Sequence, residues 1–314
     1  MSSCHDTTVV ICSHLIQRWD WLQACVSSVE AQTLQPAEII VVVDGDHELA
    51  AIAVAQLRTR CTVIPLARRG GLSAARNAGL DAVTTPFVAF LDDDACADPH
   101  WLERLRAELT RPEILGAGGR SLPVWKSRRP AWLTDQLLWA VGCSYEGQPH
   151  QASDVRNVFG GCAIYRTYLF TEYGGFRTEF GRKERGAAGC EETEFCLRVV
   201  GRRPKSVFRF QPEAVILHHV PEARTRLRYV MLRSFAEGRS KALLVRSLQS
   251  LSLASKLSAE TEYARSALTR GVTAGMRQCV RGDLSGLASS GALVVSLGTA
   301  AVGYLFEMLV ELRP

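Results

Sequence analysis

Three adjacent carboxylates, Asp92, Asp93 and Asp94, follow the unbroken apolar run Phe87 to Leu91. Such a run reads as a strand buried on both faces, and carboxylates at its C-terminal end must be solvated, paired or bound to a cation. Three neighbouring acids repel one another. A hard divalent cation relieves that repulsion and keeps coordination positions for water and phosphate oxygens. A solvated acidic turn is the plainer alternative. A second pair of acids, Glu191-Glu192, opens the helical pattern Thr193 to Val200, where the helix dipole favours negative groups. Two carboxylates there can serve as a general base or simply as solvated helix-start acids.

The elements that must position these groups are legible in order. Thr8 to Cys12 is a β-branched strand candidate running into Ser13-His14, followed by a helical pattern through Trp19, Leu22, Val26 and Val29. Glu38 to Val43 reads as a second buried strand, stopped by Asp44-Gly45-Asp46, and Ile52 to Leu57 lies on a second helix. Cys61 to Pro65 reads as a third strand. The loop Arg68 to Gly71 follows, and Ser73 is placed to cap a helix Ala74 to Ala82. Strands alternating with single helices imply right-handed crossovers and a mostly parallel, doubly wound α/β sheet. In such sheets ligands bind outside the carboxyl ends of the strands, so Ser13-His14, Asp44 and Asp92 to Asp94 are expected at one crevice. Neither a G-x-G-x-x-G after the first strand nor a G-x-x-x-x-G-K-[ST] occurs, which disfavours a Rossmann dehydrogenase and a P-loop enzyme.

Strand-Asp44, then Gly71-Leu72-Ser73-Ala74-Ala75-Arg76-Asn77-Ala78-Gly79, then Phe90-Leu91-Asp92-Asp93-Asp94 resembles the nucleotide-sugar half of the family 2 inverting glycosyltransferases, which have a GT-A fold. Gly160-Gly161-Cys162-Ala163-Ile164-Tyr165-Arg166 with Gly174-Gly175-Phe176 resembles the acceptor side of that family, and Cys190 to Arg198 is similar to its "ED" motif. The resemblance covers about residues 8 to 245. It implies a glycosyltransferase domain over 1–245, with a donor half at 8–120 and an acceptor half at 121–245, followed by a helical C-terminal region, 246–314.

The resemblance also implies roles. Asp44 matches the acid near the nucleoside, and Arg76 and Asn77 match the loop around the nucleotide. An arginine at a helix start offers charge-assisted donors to a diphosphate, although a surface helix arginine is the bland alternative, and Asn77 and Gly79 also fit a structural part in the loop. Asp92 and Asp94 match the D-x-D, with Asp94 the direct metal ligand, Asp92 at the metal or ribose, and Asp93 the spare acid on the cofactor side. Mg2+ or Mn2+ is the implied cofactor, neutralising charge on the leaving nucleoside diphosphate. Glu192 stands where the family usually has Asp, so Glu192 and Glu191 are both candidates for the base that inversion requires. A histidine completes the metal shell in many GT-A enzymes, and His219 of the pair His218-His219 is taken as that ligand; an imidazole suits Mn2+ better than Mg2+. Gly160, Gly161 and the aromatic segment Trp125 to Gly147, with Trp139 foremost, are the acceptor-site candidates, although aromatic rings serve a core equally well. The stretch Arg233, Glu237 to Ala242 receives a loose phosphate or membrane-surface role.

Bulk properties set the remaining bounds. The chain has 314 residues, 47% hydrophobic content and a net charge of +5, enough apolar surface for a sizeable core. Charge is uneven: from Arg198 to Arg281 seventeen Lys and Arg stand against five acids, pointing to an anionic substrate or an anionic membrane surface, with nucleic acid resting on basicity alone and not expected. The ten cysteines include no C-x-x-C pair, and the N-terminus lacks a basic n-region, so a reduced cytoplasmic setting is expected. Leu284 to Phe306 is uncharged but interrupted by Ser and Gly, which fits a helix crossing or lying on the cytoplasmic face of a membrane, or one packed against other helices. The partners that the resemblance implies are a nucleoside diphosphate sugar, with uridine the expected nucleoside, and a hydroxyl acceptor, lipid-linked or a small molecule. A sugar-nucleotide or membrane-surface binding protein that keeps the fold without turnover is the alternative.

Overall fold

Apolar runs at the start of the chain become the parallel strands β1 (Thr7–Ser13), β2 (Glu38–Asp44), β3 (Thr62–Leu66) and β4 (Phe87–Asp92) of a computed structural model. The structure describes residues 5–182, 189–248 and 257–310. Helices α1 (Trp19–Glu30), α2 (His47–Leu57) and α3 (Leu72–Leu80) connect the four strands in the order β3-β2-β1-β4. Successive residues of β1 enter opposite cores: Val9 and Ile11 pack with Leu22, Val26 and Trp101, whereas Val10 packs with Ile40, Val42 and Phe90. Burial on both faces is why these strands are continuously apolar rather than alternating.

Register then decides which residues reach the rim. Ser13 pairs with Val43 and Cys12 with Asp92, so Ser13, Asp44 and Asp92 end at the same edge of the sheet. Beyond β4 the sheet turns antiparallel. β8 (Cys162–Arg166) pairs with β4 and with β6 (Ile114–Trp125), and β9 (Val207–Val220) pairs with the short β5 (Ala95–Ala97) and β7 (Ser153–Val155). The result is a mixed α/β sheet, parallel in its N-terminal half. Helices α4 (Trp101–Glu108), α5 (Tyr168–Tyr173) and α6 (Glu191–Val200) belong to the same part of the chain.

One local expectation is corrected. Ser73 lies inside α3 rather than capping it, and its Oγ donates to the Phe180 carbonyl at 2.9 Å. The cap position is Gly71, whose φ of +86° is a conformation few other residues adopt, and the helix ends at Leu80.

Two compact units are distinguished: residues 1–122, 149–184 and 191–218, and residues 123–148, 185–190 and 219–314. The first contains the sheet rim described above. The second is built on α7 (Leu227–Ser247), α8 (Ser258–Ser266), α9 (Val272–Val280) and α10 (Ser285–Val310), so α7 groups with the C-terminal helices rather than with the sheet. Within it, α7 and α10 cross closely, because a Cβ on Gly238 would overlap the Ala300 carbonyl and one on Gly303 would overlap that of Phe235.

Candidate active site

The chain leaves β4 at Asp92, turns through Asp93 and Asp94, and re-enters the sheet as β5, whose first residue, Ala95, lies opposite His218 on β9. That register is what brings a histidine to the acidic turn. Asp92, Asp94 and His218 each present a ligand atom, and those atoms lie within 4.8 Å of one another. His218 Nδ1 is 3.2 Å from Asp94 Oδ1, and both side chains are buried. Two carboxylate oxygens and one imidazole nitrogen form a donor set that fits a divalent cation, with the imidazole favouring Mn2+. The candidate ligand His219 is replaced by its neighbour: β9 alternates, and Ala214, Ile216, His218 and Val220 are its buried face while His219 falls on the other.

Asp93 is held apart from this set. Its carboxylate accepts from Ser13 Oγ at 2.5 Å and from Arg18 Nη1 at 2.6 Å, and the same guanidinium lies 3.2 Å from Asp94 Oδ2. Burial pushes the Asp93 carboxyl up to about 6 against the pull of Arg18, and Asp94 adds to the rise. His14, after β1, moves the other way: burial and the nearby Arg18 and Arg69 push it down to about 4, so it is neutral at pH 7.

Arg76 joins the two carboxylate groups that are far apart in sequence. Buried on α3, it donates from Nη1 to Glu191 Oε1 at 2.9 Å and reaches Asp92 Oδ1 from Nη2 at 3.3 Å. Phe90 and Phe176 flank its guanidinium at 5.6 and 5.7 Å from their ring centres. Burial opposes the charge, but Glu191 and Asp92 outweigh it and hold the guanidinium above its ordinary pKa. Arg76 thus spans between carboxylates and is enclosed by protein. Gly160 and Gly161 form the adjoining wall: a Cβ on Gly160 would lie 2.6 Å from Arg76 Nη1, and one on Gly161 would overlap the Asp92 carboxylate. The structure places these two acceptor candidates beside the acidic turn.

Glu191 and Glu192 form the first turn of α6. Glu191 is buried and committed to Arg76, whereas Glu192 is half-buried. The helix is anchored by Glu194, fully buried, which pairs with Arg198 at 2.9 Å and Arg177 at 3.4 Å. Arg198 donates in turn to the carbonyls of Tyr173, Gly174 and Gly175.

Other candidates have local tasks. Asp44 accepts from the backbone N–H groups of Gly70 and Gly71 at 2.7 and 2.8 Å, pinning the loop that leads into α3. Asn77 both donates to the Phe176 carbonyl and accepts from the Phe176 N–H at 2.8 Å, which ties α3 to the Gly174-Gly175-Phe176 loop. Trp139 lies in the second unit, where its indole N–H donates to Tyr263 Oη at 2.9 Å and its ring packs edge-on against the same tyrosine. Sequence reasoning missed Arg18 and the Glu194–Arg198 anchor. Three consecutive acids were a signal that a cation must be near, but nothing local to Arg18 pairs it with a turn some seventy-five residues away.

Comparison with known proteins agrees with this geometry. The family model for glycosyl transferase family 2 matches residues 8–174. The chain is 30% identical over 240 residues to a glucosyl-dolichyl phosphate glucuronosyltransferase of Haloferax volcanii, covering 76% of each chain. It is 29% identical over 178 residues to a pre-mycofactocin glycosyltransferase of Mycobacterium tuberculosis, covering 56% of this chain and 35% of that one. Among solved structures, a mannosyltransferase of Pyrobaculum calidifontis in complex with GDP-Man and Mn2+ superposes with a TM-score of 0.61 at 16% identity, over 96% of this chain and 87% of the other, which shows a shared GT-A-like fold. With the motif order, the rim geometry and the family match in agreement, the chain belongs to glycosyl transferase family 2.

Proposed function

We propose that the protein transfers a sugar, with inversion, from a uridine diphosphate sugar to a hydroxyl of a lipid-linked acceptor. The observation that carries this reading is the placement of the Asp92–Asp94–His218 donor set next to the Glu191-Glu192 turn, with Arg76 spanning from Asp92 to Glu191. A divalent cation, Mn2+ by the imidazole in its donor set, would supply positive charge to the departing diphosphate.

The chain's own groups divide the remaining work. Glu192 takes the proton of the acceptor hydroxyl at its carboxylate, because inversion needs one base opposite the leaving group and Glu192 stands at the motif position where the family carries its acid. Arg76 pairs with Glu191 and with Asp92 and so fixes the distance between them, acting as a positioning residue rather than as a diphosphate ligand. Asp44 shapes the nucleoside side of the site through the Gly70-Gly71 loop, and Asn77 sets the loop opposite it. Support for a lipid-linked acceptor comes from the similarity to the haloarchaeal glucosyl-dolichyl phosphate glucuronosyltransferase and from the basic, apolar C-terminal region.

The test is a panel of nucleoside diphosphate sugars with and without Mn2+, read first as thermal shift and then as transfer to a polyprenyl-phosphate-linked sugar. A uridine donor that raises the midpoint only with Mn2+ and yields a glycosylated lipid supports the reading. Donor hydrolysis with no glycosylated product from any acceptor contradicts it.

A further inference from the structure

Helix α10, 26 residues long, is apolar enough to cross a bilayer. Its packing argues for a different arrangement. At about 100° per residue, Ser289, Leu293, Ser296, Gly303 and Glu307 share one face, which is buried, and Leu287, Val294, Val302, Leu305 and Leu309 share the opposite, exposed face. The buried face lies along α7: Ser296 Oγ is 2.8 Å from Ser234 Oγ, and the Glu307 carboxylate accepts from Arg239 at 2.6 Å and lies 3.4 Å from Arg246. Between Ser234 and Arg246, α7 also carries Glu237, which pairs with Arg233 at 3.3 Å and Lys241 at 3.0 Å. Were α10 to span a membrane, this charged companion would be drawn into hydrocarbon with it, a placement that costs several kcal/mol for each ionised side chain.

Exposed apolar residues and exposed arginines occur together on α9 and its link to α10. Val280 and Leu284 are 89% and 72% exposed where α9 passes into α10, and Met276 and Leu287 are exposed on the adjoining turns. Arg270, Arg277 and Arg281 are exposed on the same segment. Beyond residue 256 the exposed arginines Arg265, Arg270, Arg277 and Arg281 stand against exposed Glu262 and Asp283 among the described residues. Exposed apolar residues alongside arginines match the headgroup region of an anionic bilayer, where a helix lies in the plane with its apolar side in the acyl boundary.

We infer that the α9–α10 hairpin docks flat on an anionic lipid surface, with Met276, Val280, Leu287, Val294, Val302 and Leu305 facing the acyl chains, and does not span the membrane. The arrangement deepens the proposed use of a lipid-linked acceptor, but it is read by lipid binding and not by turnover, so a failure here leaves the donor-binding test standing.

The experiment floats the purified full chain with preformed vesicles of phosphatidylcholine alone or with phosphatidylglycerol added. Binding is expected to the anionic vesicles and to weaken at high salt. It should fall at least about tenfold for the double variant Arg277→Glu/Arg281→Glu, since each arginine near such a surface contributes about fivefold. The triple variant Leu287→Asp/Val302→Asp/Leu305→Asp should lose binding while keeping the donor-induced thermal shift, because all three side chains are exposed. In sealed vesicles, thiols introduced as Asp283→Cys and Val310→Cys should both react with an impermeant maleimide added outside. Labelling of the two from opposite sides would overturn the in-plane placement. So would absence of vesicle binding, or a stable dimer that the triple variant dissociates, which would make a second copy the occupant.

Discussion

The sheet rim and the C-terminal helices balance charge differently, with mostly buried guanidinium–carboxylate pairs at the rim and partly exposed pairs among the helices. At the rim each guanidinium serves two carboxylates: Arg18 lies against Asp93 and Asp94, and Arg76 against Asp92 and Glu191. In the helical unit Glu307 meets Arg239 and Arg246, and Glu237 meets Arg233 and Lys241, the lysine reaching Glu260 as well. Excess negative charge at the rim creates a demand for a further cation, which the Asp92–Asp94–His218 set is shaped to meet. Excess positive charge among the helices suits an anionic surface. The rim thus offers a donor set for a cation, and the helices carry the basic surface proposed to meet lipid.

The sharpest way to break this comparison is to remove the demand. Asp94→Ala should abolish Mn2+-dependent donor binding and lower turnover by roughly a thousandfold or more, since charge stabilisation of several kcal/mol is lost. Ordinary turnover in that variant would show that the acidic turn has another purpose. Glu192→Gln should bind donor with unchanged affinity and transfer about 10²- to 10⁴-fold more slowly; a full rate in Glu192→Gln with a loss in Glu191→Gln would reassign the base. Arg76→Met should leave Glu191 buried without its partner and destabilise the fold by about 3 kcal/mol or more in urea titration, with Arg76→Lys recovering part of it. His218→Ala should weaken Mn2+ binding at least about tenfold, whereas His219→Ala should change it little; equal effects would remove the distinction drawn from β9. Smallest is Glu307→Gln, expected to cost about 1 kcal/mol or less because the Arg239 side chain is 46% exposed and is partly satisfied by water.

Much of the first unit was legible because it is written locally. The buried runs of β2 and β4, the helical period of α1 and the acids at the strand ends each lie within a few consecutive residues. Where outcomes depended on pairing between distant segments, local signals failed. Which of two adjacent histidines faces the acidic turn depends on the register of β9 against β5, since a one-residue slip exchanges the faces. Ser73 has the chemistry of a helix cap, yet the Phe180 carbonyl takes its hydroxyl and leaves Gly71 at the cap position. A helix start invites an anion, which made Arg76 a candidate at the nucleotide; its pairing with carboxylates contributed from β4 and α6 is not written in the residues around it. The apolar character of α10 was plain, but only its contacts with a charged α7 distinguish a helix that lies along a surface from one that crosses it.

The most direct measurement of the central claim is anomalous diffraction at the manganese edge from crystals grown with Mn2+ and a uridine diphosphate sugar. The account predicts one dominant peak within bonding distance of Asp94 and His218, with the diphosphate beside it and the Glu192 carboxylate turned toward the sugar. A peak remote from the acidic turn, or donor bound in full with no metal at Asp94, would contradict it.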